Sequence, residues 1–299
     1  MTRQRPDHWK HDRDGFYKYM SCETAATVLK NRSLKWSPAS AFNDPFDMQF
    51  DLHLDFDEDD LVAQCKCDFR EILSGGGDFH PEIGMGNLLS ELKAAAASIP
   101  APDLENFVEM AVRLAIKATA PDIADMHVNL RRHFGRYKVL CLSERNDSIL
   151  MWSHYANNHT GIVLRLACLE ETDSSWAVAQ PINYCEAMPR FLDPDELRAL
   201  ITGRAEPRRE AIVERTIFSK ALEWQYEREW RVYRPSDTTD VEFLKFNAPE
   251  ISAVYFGCRA TEAAQQEISA LALSINPAAK LFGVRKSESQ FALEFEPLA

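Results

Sequence analysis

The stretch Trp224-Gln-Tyr-Glu-Arg-Glu-Trp-Arg231 carries the strongest signal for fold and site. It lies where a helix-like pattern gives way to a strand-like one, and it places Glu227 and Glu229 two positions apart. Side chains at i and i+2 of a strand point to the same face of a sheet. The stretch therefore predicts two acids that face one pocket. Aromatic residues would frame that pocket: Trp224, Tyr226 and Trp230.

A second interpretation of these acids stays open. Glu227 and Glu229 would pair with neighbouring cations on a solvated edge strand, and in a chain with 46 Asp and Glu residues many Glu-x-Glu pairs do so. The candidate partners are Arg228, Arg231 and Lys220.

Composition places the chain among ordinary globular proteins. Its 299 residues are 45% hydrophobic and 27% charged, enough for one large domain or two small ones. The formal net charge of −12 repels an extended nucleic-acid backbone. A pocket for a single nucleotide remains compatible with this charge, because net charge does not set a local field.

Cysteine usage predicts a cytoplasmic protein. The seven cysteines are scattered and form no Cys-x-x-Cys pair, which is typical of a reducing compartment. Cys65 and Cys67 lack a second ligand pair at zinc-site spacing, so no metal is expected. The N-terminus is polar and no apolar run reaches the roughly 18 residues of a membrane span, so neither secretion nor membrane insertion is expected.

Periodicity predicts an α+β fold with a mixed, mostly antiparallel sheet. Many short strands with interspersed helices favour this class over a regular βαβ repeat. We expect one domain over residues 1–299, with a helical insertion at about 58–135 that is interrupted near Pro100 and Pro121. Strands are expected at 16–20, 33–37, 137–143, 161–167, 177–184, 229–234, 241–246, 252–257, 280–285 and 291–296. Helices outside the insertion are expected at 23–30, 149–155, 194–202, 207–222 and 261–273.

Two early motifs are candidates for the site. In Tyr17-Lys18-Tyr19, strand alternation puts both rings on one face and the ammonium group on the other; two core tyrosines with an exposed lysine are an equal alternative. In the turn Asn43-Asp44-Pro45, proline and the short polar side chains favour a fixed loop. Asn43 and Asp44 then either line a site or serve the turn alone.

A third motif lies between residues 141 and 161. Met151, Trp152 and Tyr155 have helical spacing and predict an apolar face. His154 and His159 are five positions apart, which suits neither one helical face nor a metal pair. A neutral histidine that hydrogen-bonds a substrate hydroxyl or a backbone carbonyl is the preferred interpretation.

Together these motifs resemble a bacterial family of unknown function, the one numbered 2971. The resemblance covers about residues 16–285. The family's first motif is usually Tyr-Arg-Tyr, whereas this chain has Lys18, which cannot form a guanidinium fork. The motifs that carry the resemblance are Tyr17-Lys-Tyr19, Phe42-Asn-Asp-Pro-Phe-Asp47, Cys141-Leu-Ser-Glu144, Met151-Trp-Ser-His-Tyr-Ala156 with His159 and Gly161, and Trp224-x-Tyr-Glu-x-Glu-Trp-Arg231.

The order of motifs is also similar to that of ADP-ribosyltransferases, although a Ser-Thr-Ser signature is absent. This resemblance implies NAD⁺ as substrate, with Lys18 at its phosphate or ribose and Ser37 on the second strand. It implies Glu229 as the catalytic acid that stabilises the ribosyl cation, and Glu227 as the residue that orients the acceptor.

We therefore expect a nucleotide-binding enzyme that transfers ADP-ribose or cleaves the glycosidic bond of NAD⁺, with an unknown acceptor. The family's general character implies a role in toxin action or phage defence. Two alternatives stay open: a non-catalytic sensor or interaction module, and a metal-dependent nuclease that uses Asp44, Asp47 and Glu229 with Lys220 nearby. Besides the two glutamates, the residues expected to contact the ligand are Tyr17, Lys18, Tyr19, Ser37, Asn43, Asp44, Trp152, His154, Tyr155, His159, Trp224 and Arg231.

Overall fold

The computed structural model describes residues 6–50, 54–95 and 99–298, without the side chains of 119–127. The chain divides into two compact units. The first comprises Met1–Gln49, Gly135–Glu186 and Phe218–Ala299; the second comprises Phe50–Phe134 and Ala187–Ile217.

The first unit is built on an eight-stranded sheet. The described strands of this unit, which include those of two small additional sheets, are β1 (Gly15–Met20), β2 (Ser33–Trp36), β3 (Tyr137–Ser143), β4 (Ile162–Ala167), β5 (Gln180–Pro181), β6 (Asn183–Cys185), β7 (Ser219–Ala221), β8 (Glu229–Pro235), β9 (Glu242–Lys245), β10 (Ile251–Phe256), β11 (Lys280–Lys286) and β12 (Leu293–Pro297).

The strand order in the large sheet is β12-β11-β10-β4-β1-β3-β8-β5. Strands β10 and β11 are parallel, and every other described neighbouring pair is antiparallel. β2 with β9 and β6 with β7 form two small additional sheets. The predicted α+β class with a mixed, mostly antiparallel sheet is confirmed.

Helices α1 (Cys22–Asn31), α5 (Ile149–His154) and α8 (Glu262–Ile275) belong to the first unit, and the remaining helices lie mainly in the second. Ser21 caps α1 by accepting a hydrogen bond from the amide of Thr24. The helices of the second unit are α2 (Glu58–Leu73), α3 (Gly86–Ala95), α4 (Ala101–Phe134), α6 (Pro194–Ile201) and α7 (Arg209–Phe218).

Both faces of the central strand β4 are buried. Ile162, Leu164 and Leu166 belong to a large apolar core that also includes residues of α1 and α8. Val163 points to the other face, where it joins a cluster with Tyr19 and Trp152. A strand that is buried on both sides reads as a nearly continuous apolar run, as residues 162–167 do.

Three expected elements differ from the structure. The strand expected at 177–184 is a 3-10 turn, Ser175–Val178, followed by the short β5 and β6. Pro181 has no amide hydrogen for a sheet ladder, so it lies on the edge strand. The helix expected at 207–222 ends at Phe218, because residues 219–221 pair with β6 as a parallel strand. The break expected at Pro121 is wrong, since α4 is continuous.

The second unit is helical. α2 contacts α3, α4 and α6, and surface ion pairs connect these helices, such as Lys66 with Glu109 at 2.8 Å. The unit contains the segment expected as a helical insertion and also residues 187–217. Among the described residues, no helix is both long and apolar enough to cross a lipid bilayer.

Candidate functional site

A cavity of about 420 Å³ lies in the first unit. It is formed by β1, the turn after β2, β3, α5, β7 and the start of β8. This volume falls within the range of small-molecule sites. Its lining residues are Tyr17, Lys18, Tyr19, Ser37, Ala41, Phe42, Asn43, Asp47, Cys141, Leu142, Ser143, Met151, His154, Tyr155, Lys220, Glu227 and Glu229.

Strand β8 supplies the centre of the site. Glu229 and Arg231 are two positions apart and lie on one face, opposite Ser143 and Cys141 of β3 in the sheet register. The guanidinium group of Arg231 is fully buried and donates from Nε to Oε1 of Glu229 at 2.7 Å and from Nη2 to Oε2 at 3.0 Å. This bidentate contact fixes the Glu229 carboxylate.

Asp47 binds the other edge of the same guanidinium group. Arg231 Nη1 donates to Oδ1 of Asp47 at 2.8 Å, and Nη2 donates to Oδ2 at 2.5 Å. The ring of Phe42 lies 5.3 Å from the guanidinium carbon. The turn that carries Phe42 and Asp47 is therefore attached to the sheet through Arg231.

Lys220 of β7 joins the carboxylates into one network. Its buried Nζ lies 2.5 Å from Oε2 of Glu227, 2.9 Å from Oε2 of Glu229 and 3.5 Å from Oδ2 of Asp47. We call the set Asp47, Lys220, Glu227, Glu229 and Arg231 the ionic cluster. The three carboxylates and two cations leave this buried cluster with a formal charge of −1 when all five groups are ionised.

The ionic cluster contains two of the acids that the nuclease hypothesis assigned to Mg²⁺. Asp47 and Glu229 bind Lys220 and Arg231 instead. The third acid, Asp44, accepts a hydrogen bond from the amide of Phe46 at 2.9 Å and so holds the turn. Over the part of the chain that the structure describes, no group of three or more His, Cys, Asp or Glu side chains is arranged to hold a metal ion.

Glu227 reaches the cavity by a route that strand alternation did not predict. The strand begins at Glu229, whereas Glu227 ends a 3-10 turn, and Arg228 between them has a left-handed backbone with φ of 46°. This reversal returns both carboxylates to the same cavity. The expectation that they share a strand is wrong, although they do converge.

Hydrogen bonds orient Glu227 from both sides. Tyr155 donates its hydroxyl to Oε1 at 2.5 Å, while Lys220 binds Oε2. The backbone carbonyl of Glu227 accepts a hydrogen bond from Ser143 at 2.7 Å. The carboxyl group is therefore held in one orientation within the cavity wall.

The two glutamates have opposite electrostatic environments. Burial by itself would raise the pKa of Glu229, but Arg231 and Lys220 outweigh burial and hold that pKa well below its ordinary value. Burial, together with the charge of Glu229, raises the pKa of Glu227 despite Lys220. Burial lowers the pKa of Lys220, yet the three carboxylates raise it further, so this lysine stays charged. Glu229 thus holds its negative charge more firmly, and Glu227 is the carboxyl group that accepts a proton more readily.

Lys18 differs from the cations of the ionic cluster. Its Nζ donates to the carbonyl oxygen of Cys141 at 2.6 Å, and it forms no ion pair with any acid among the described residues. Its neighbour Tyr19 belongs to the apolar cluster that contains Trp152, and Tyr17 packs against that cluster. The hydroxyl of Tyr19 donates to the carbonyl of Arg145 at 2.8 Å. Two N–H groups of the lysine thus remain free to bind an anion in the cavity.

The two histidines of the third motif lie in different places. His154 lines the cavity, and its Nδ1 lies 2.9 Å from the hydroxyl of Tyr226. His159 does not line it: its ring stacks on Trp152 and its Nε2 lies 3.1 Å from Oγ of Ser153.

The structure thus brings together nine of the fourteen residues predicted for the site. The other five have identifiable positions outside the cavity lining. Trp152 is fully buried in the core, and Arg231 lies beneath the lining within the ionic cluster. The Nζ of Lys220 lies over the ring of Trp224, 5.1 Å from the ring centroid. The nine that line the cavity are Tyr17, Lys18, Tyr19, Ser37, Asn43, His154, Tyr155, Glu227 and Glu229. Asp44 holds its turn and His159 lies against Trp152, as described above.

From the sequence, Asp47 is a candidate only as part of the polar turn or of a metal site, and Lys220 only as part of a metal site or a surface pair. Cys141 and Ser143 receive no individual role. The alternation of Cys141 and Ser143 on β3, opposite the β8 motif, was the available signal. Burial raises the pKa of the Cys141 thiol, which therefore stays protonated beside Glu229.

Neither a curated protein nor a solved structure matches the chain. A family model does match, and it covers the segment that contributes His154, Tyr155, Lys220, Glu227 and Glu229 to the site. Residues 151–232 match the model described as "Protein of unknown function (DUF2971)", so the resemblance predicted from the motifs is confirmed over these residues.

Proposed function

We propose that the cavity binds NAD⁺ in the cytoplasm and that the protein cleaves its nicotinamide glycosidic bond, passing ADP-ribose to water or to another acceptor. The observation that carries the proposal is the buried Glu227 carboxyl group, which Tyr155 and Lys220 hold in the cavity wall at 2.5 Å each. The aromatic residues around it provide surfaces for the nicotinamide and ribose rings.

The chemistry requires a carboxylate at this position. When the bond between ribose C1′ and the nicotinamide nitrogen breaks, nicotinamide leaves with the electron pair and positive charge develops on the ribose. A fixed carboxylate next to that charge lowers the barrier. With water as acceptor, its oxygen bonds to C1′ and one proton is released, so that NAD⁺ and water give ADP-ribose, nicotinamide and a proton.

We assign the reactive role to Glu227 and the supporting role to Glu229. Glu229 accepts three hydrogen bonds from two cations, Arg231 and Lys220. Glu227 accepts one from Lys220 and one from the neutral hydroxyl of Tyr155, so it keeps more acceptor capacity for a substrate. The assignment exchanges the roles that the ADP-ribosyltransferase resemblance implies.

Lys18 supports the choice of a phosphate-bearing ligand. It lines the same cavity and, among the described side chains, has no carboxylate partner. A substrate with a phosphate at one end and a developing cation at the other matches a cavity with Lys18 and Glu227 in its wall. An ammonium group binds phosphate as a point charge, without the fork of an arginine.

The direct experiment measures nicotinamide release from NAD⁺. We expect the wild type to release nicotinamide and Glu227→Gln to be at least about a hundredfold slower, the size typical of a lost charge-stabilising group. Glu223→Gln is the matched control, because Glu223 lies exposed in the same 3-10 turn. Its rate should equal that of the wild type.

Ligand binding gives an independent readout. NAD⁺ or ADP-ribose at a hundred times its dissociation constant should stabilise the fold by about 2.7 kcal/mol in a thermal-shift assay. Stabilisation by Mg²⁺ alone would favour the nuclease instead. If neither ligand stabilises the protein and no nicotinamide appears, the proposal is wrong and a sensor or interaction module is the better account.

A further inference from the structure

A second cavity, of about 510 Å³, also lies in the first unit. None of the ionic cluster lines it. Its walls come from the start of α5 at Ile149, from His159, from Cys258 and Arg259 after β10, and from residues 286–293 that join β11 to β12.

One wall is held by a strained backbone. Asn157, Asn158 and His159 have consecutive left-handed φ values of 47°, 54° and 67°. Two glycines allow the chain to pass close by: a Cβ on Gly257 would lie 2.2 Å from the carbonyl oxygen of His159, and one on Gly161 would lie 2.3 Å from that of Met20. Such strain persists only where the surrounding structure enforces it, and it is concentrated at functional sites. The wall is therefore fixed in advance of any ligand.

The lining is largely apolar and open to solvent. Phe291 is fully exposed, Ile149 is 38% exposed, and Leu293 lies beside them in the lining. Exposed apolar groups gathered at a concave surface are characteristic of binding sites.

The charged groups at this cavity are unbalanced. Arg259 and Lys286 form no ion pair with an acid in the described part of the chain. Glu288 also lines the cavity and interacts electrostatically with Arg285, which in turn pairs with Glu294 and Glu296. Burial and the neighbouring Arg259 lower the pKa of His159, so this ring is neutral at pH 7. With His159 neutral, the two cations and one carboxylate of the lining give this cavity a formal charge of +1 in a chain with a net charge of −12.

We propose that this second cavity is a binding site for a small organic anion with an apolar body. The apolar body would lie against Phe291, Leu293 and Ile149, and the anionic group would lie between Arg259 and Lys286. This site is separate from the proposed NAD⁺ site and does not depend on that activity.

The test compares two fluorescent probes of similar shape. 8-Anilinonaphthalene-1-sulfonate carries one sulfonate, whereas N-phenyl-1-naphthylamine has the same apolar body without charge. We expect the sulfonate to bind one site at least about tenfold more tightly than the neutral probe, equivalent to about 1.4 kcal/mol. Arg259→Gln combined with Lys286→Gln should remove the preference for the sulfonate. Phe291→Ser should weaken the binding of both probes.

Two control variants separate this site from others. Lys280→Gln removes an exposed cation from β11 outside the lining, and Lys18→Gln removes the free cation of the first cavity. Both should bind the sulfonate like the wild type. Equal affinity for the two probes, a preference that survives the double substitution, or loss of binding in Lys18→Gln would each overturn the proposal.

Discussion

Arg231 binds both carboxylate oxygens of Asp47, a residue 184 positions earlier in the chain, at 2.8 and 2.5 Å. Both side chains are buried, with exposed fractions of 0% and 4%. The contact joins the turn after β2 to β8 and lies behind the wall of the first cavity, to which Asp47 contributes.

Loss of this guanidinium group should strongly destabilise the protein. Arg231→Met leaves Asp47 and Glu229 buried with one less cation, and removal of one partner of a buried pair costs about 3–5 kcal/mol. Urea denaturation measures the change in the free energy of unfolding. Arg234→Met on the same strand is the control, because Arg234 is 46% exposed and pairs with Glu242 at 3.3 Å; it should cost no more than about 1 kcal/mol. Similar losses for both would show that the buried pair has no special role in stability.

The raised pKa of Glu227 predicts a pH-dependent difference between the wild type and Glu227→Gln. A carboxyl group whose pKa is higher in the folded state than its ordinary 4.5 binds more protons when folded, so its contribution to stability is complete below 4.5 and is lost as pH rises through the folded value. Glutamine does not titrate, so the free energy of unfolding of Glu227→Gln does not fall in this pH range for this reason. Its stability relative to the wild type should therefore increase as pH rises above 4.5 and then level off. A difference that is constant from pH 4 to 8 would contradict the shift.

Trp152 and His154 are close in sequence but should differ in their effect on stability. Trp152 is fully buried and donates from Nε1 to the carbonyl of Asn146 at 2.7 Å, so Trp152→Ala should cost about 3–5 kcal/mol. His154 is exposed at the cavity and makes one side-chain hydrogen bond, so His154→Ala should cost no more than about 1.5 kcal/mol. Chemical denaturation of both variants is the measurement; equal large losses would mean that His154 is structural.

Close backbone contacts predict a contrast between two glycines. Gly257→Ala would place a methyl group 2.2 Å from the carbonyl oxygen of His159 and should cost about 1–3 kcal/mol by overpacking. Gly283→Ala would meet only the side chain of Leu298, at 3.3 Å, which can move. Thermal unfolding should show a clearly lower midpoint for the first variant and little change for the second. The reverse order would disprove the close approach.

Lys18 should determine affinity for the phosphate of a nucleotide. Lys18→Gln removes the free cation of the cavity and should weaken NAD⁺ binding about tenfold, whereas Lys18→Arg keeps the charge, matches the family's usual Tyr-Arg-Tyr motif, and should bind at least as well as the wild type. Isothermal titration calorimetry measures the dissociation constant of NAD⁺ for each variant and for the wild type. Unchanged affinity in Lys18→Gln would place the phosphate elsewhere.

Local patterns predicted much of the fold. The alternation and turn signals around β1, β3, β4 and β8 are strong because these strands pack apolar side chains against buried surfaces. Ser219-Lys220-Ala221 was assigned to a helix since nothing in its local sequence favours a strand. Its pairing with β6 overrides local preference.

The site was less predictable for a related reason. Tyr155, Glu227 and Glu229 stood out because aromatic and acidic residues are concentrated in short motifs. The contacts of Asp47 and Lys220 depend on the register of strands distant in sequence, and among 46 acids and 34 basic residues no local pattern identifies such partners. The left-handed turn at Arg228 was equally hidden, since arginine carries no signal for that conformation.

The long separation between Asp47 and Arg231 also has a consequence for biosynthesis. During translation the turn after β2 emerges early, but its guanidinium partner is added only after another 184 residues. Because compact units fold cooperatively, the ion network cannot close before β8 leaves the ribosome. A nascent or truncated chain that ends before Arg231 would therefore lack a complete cavity, and whatever chemistry the finished protein performs is withheld until most of the polypeptide has been made.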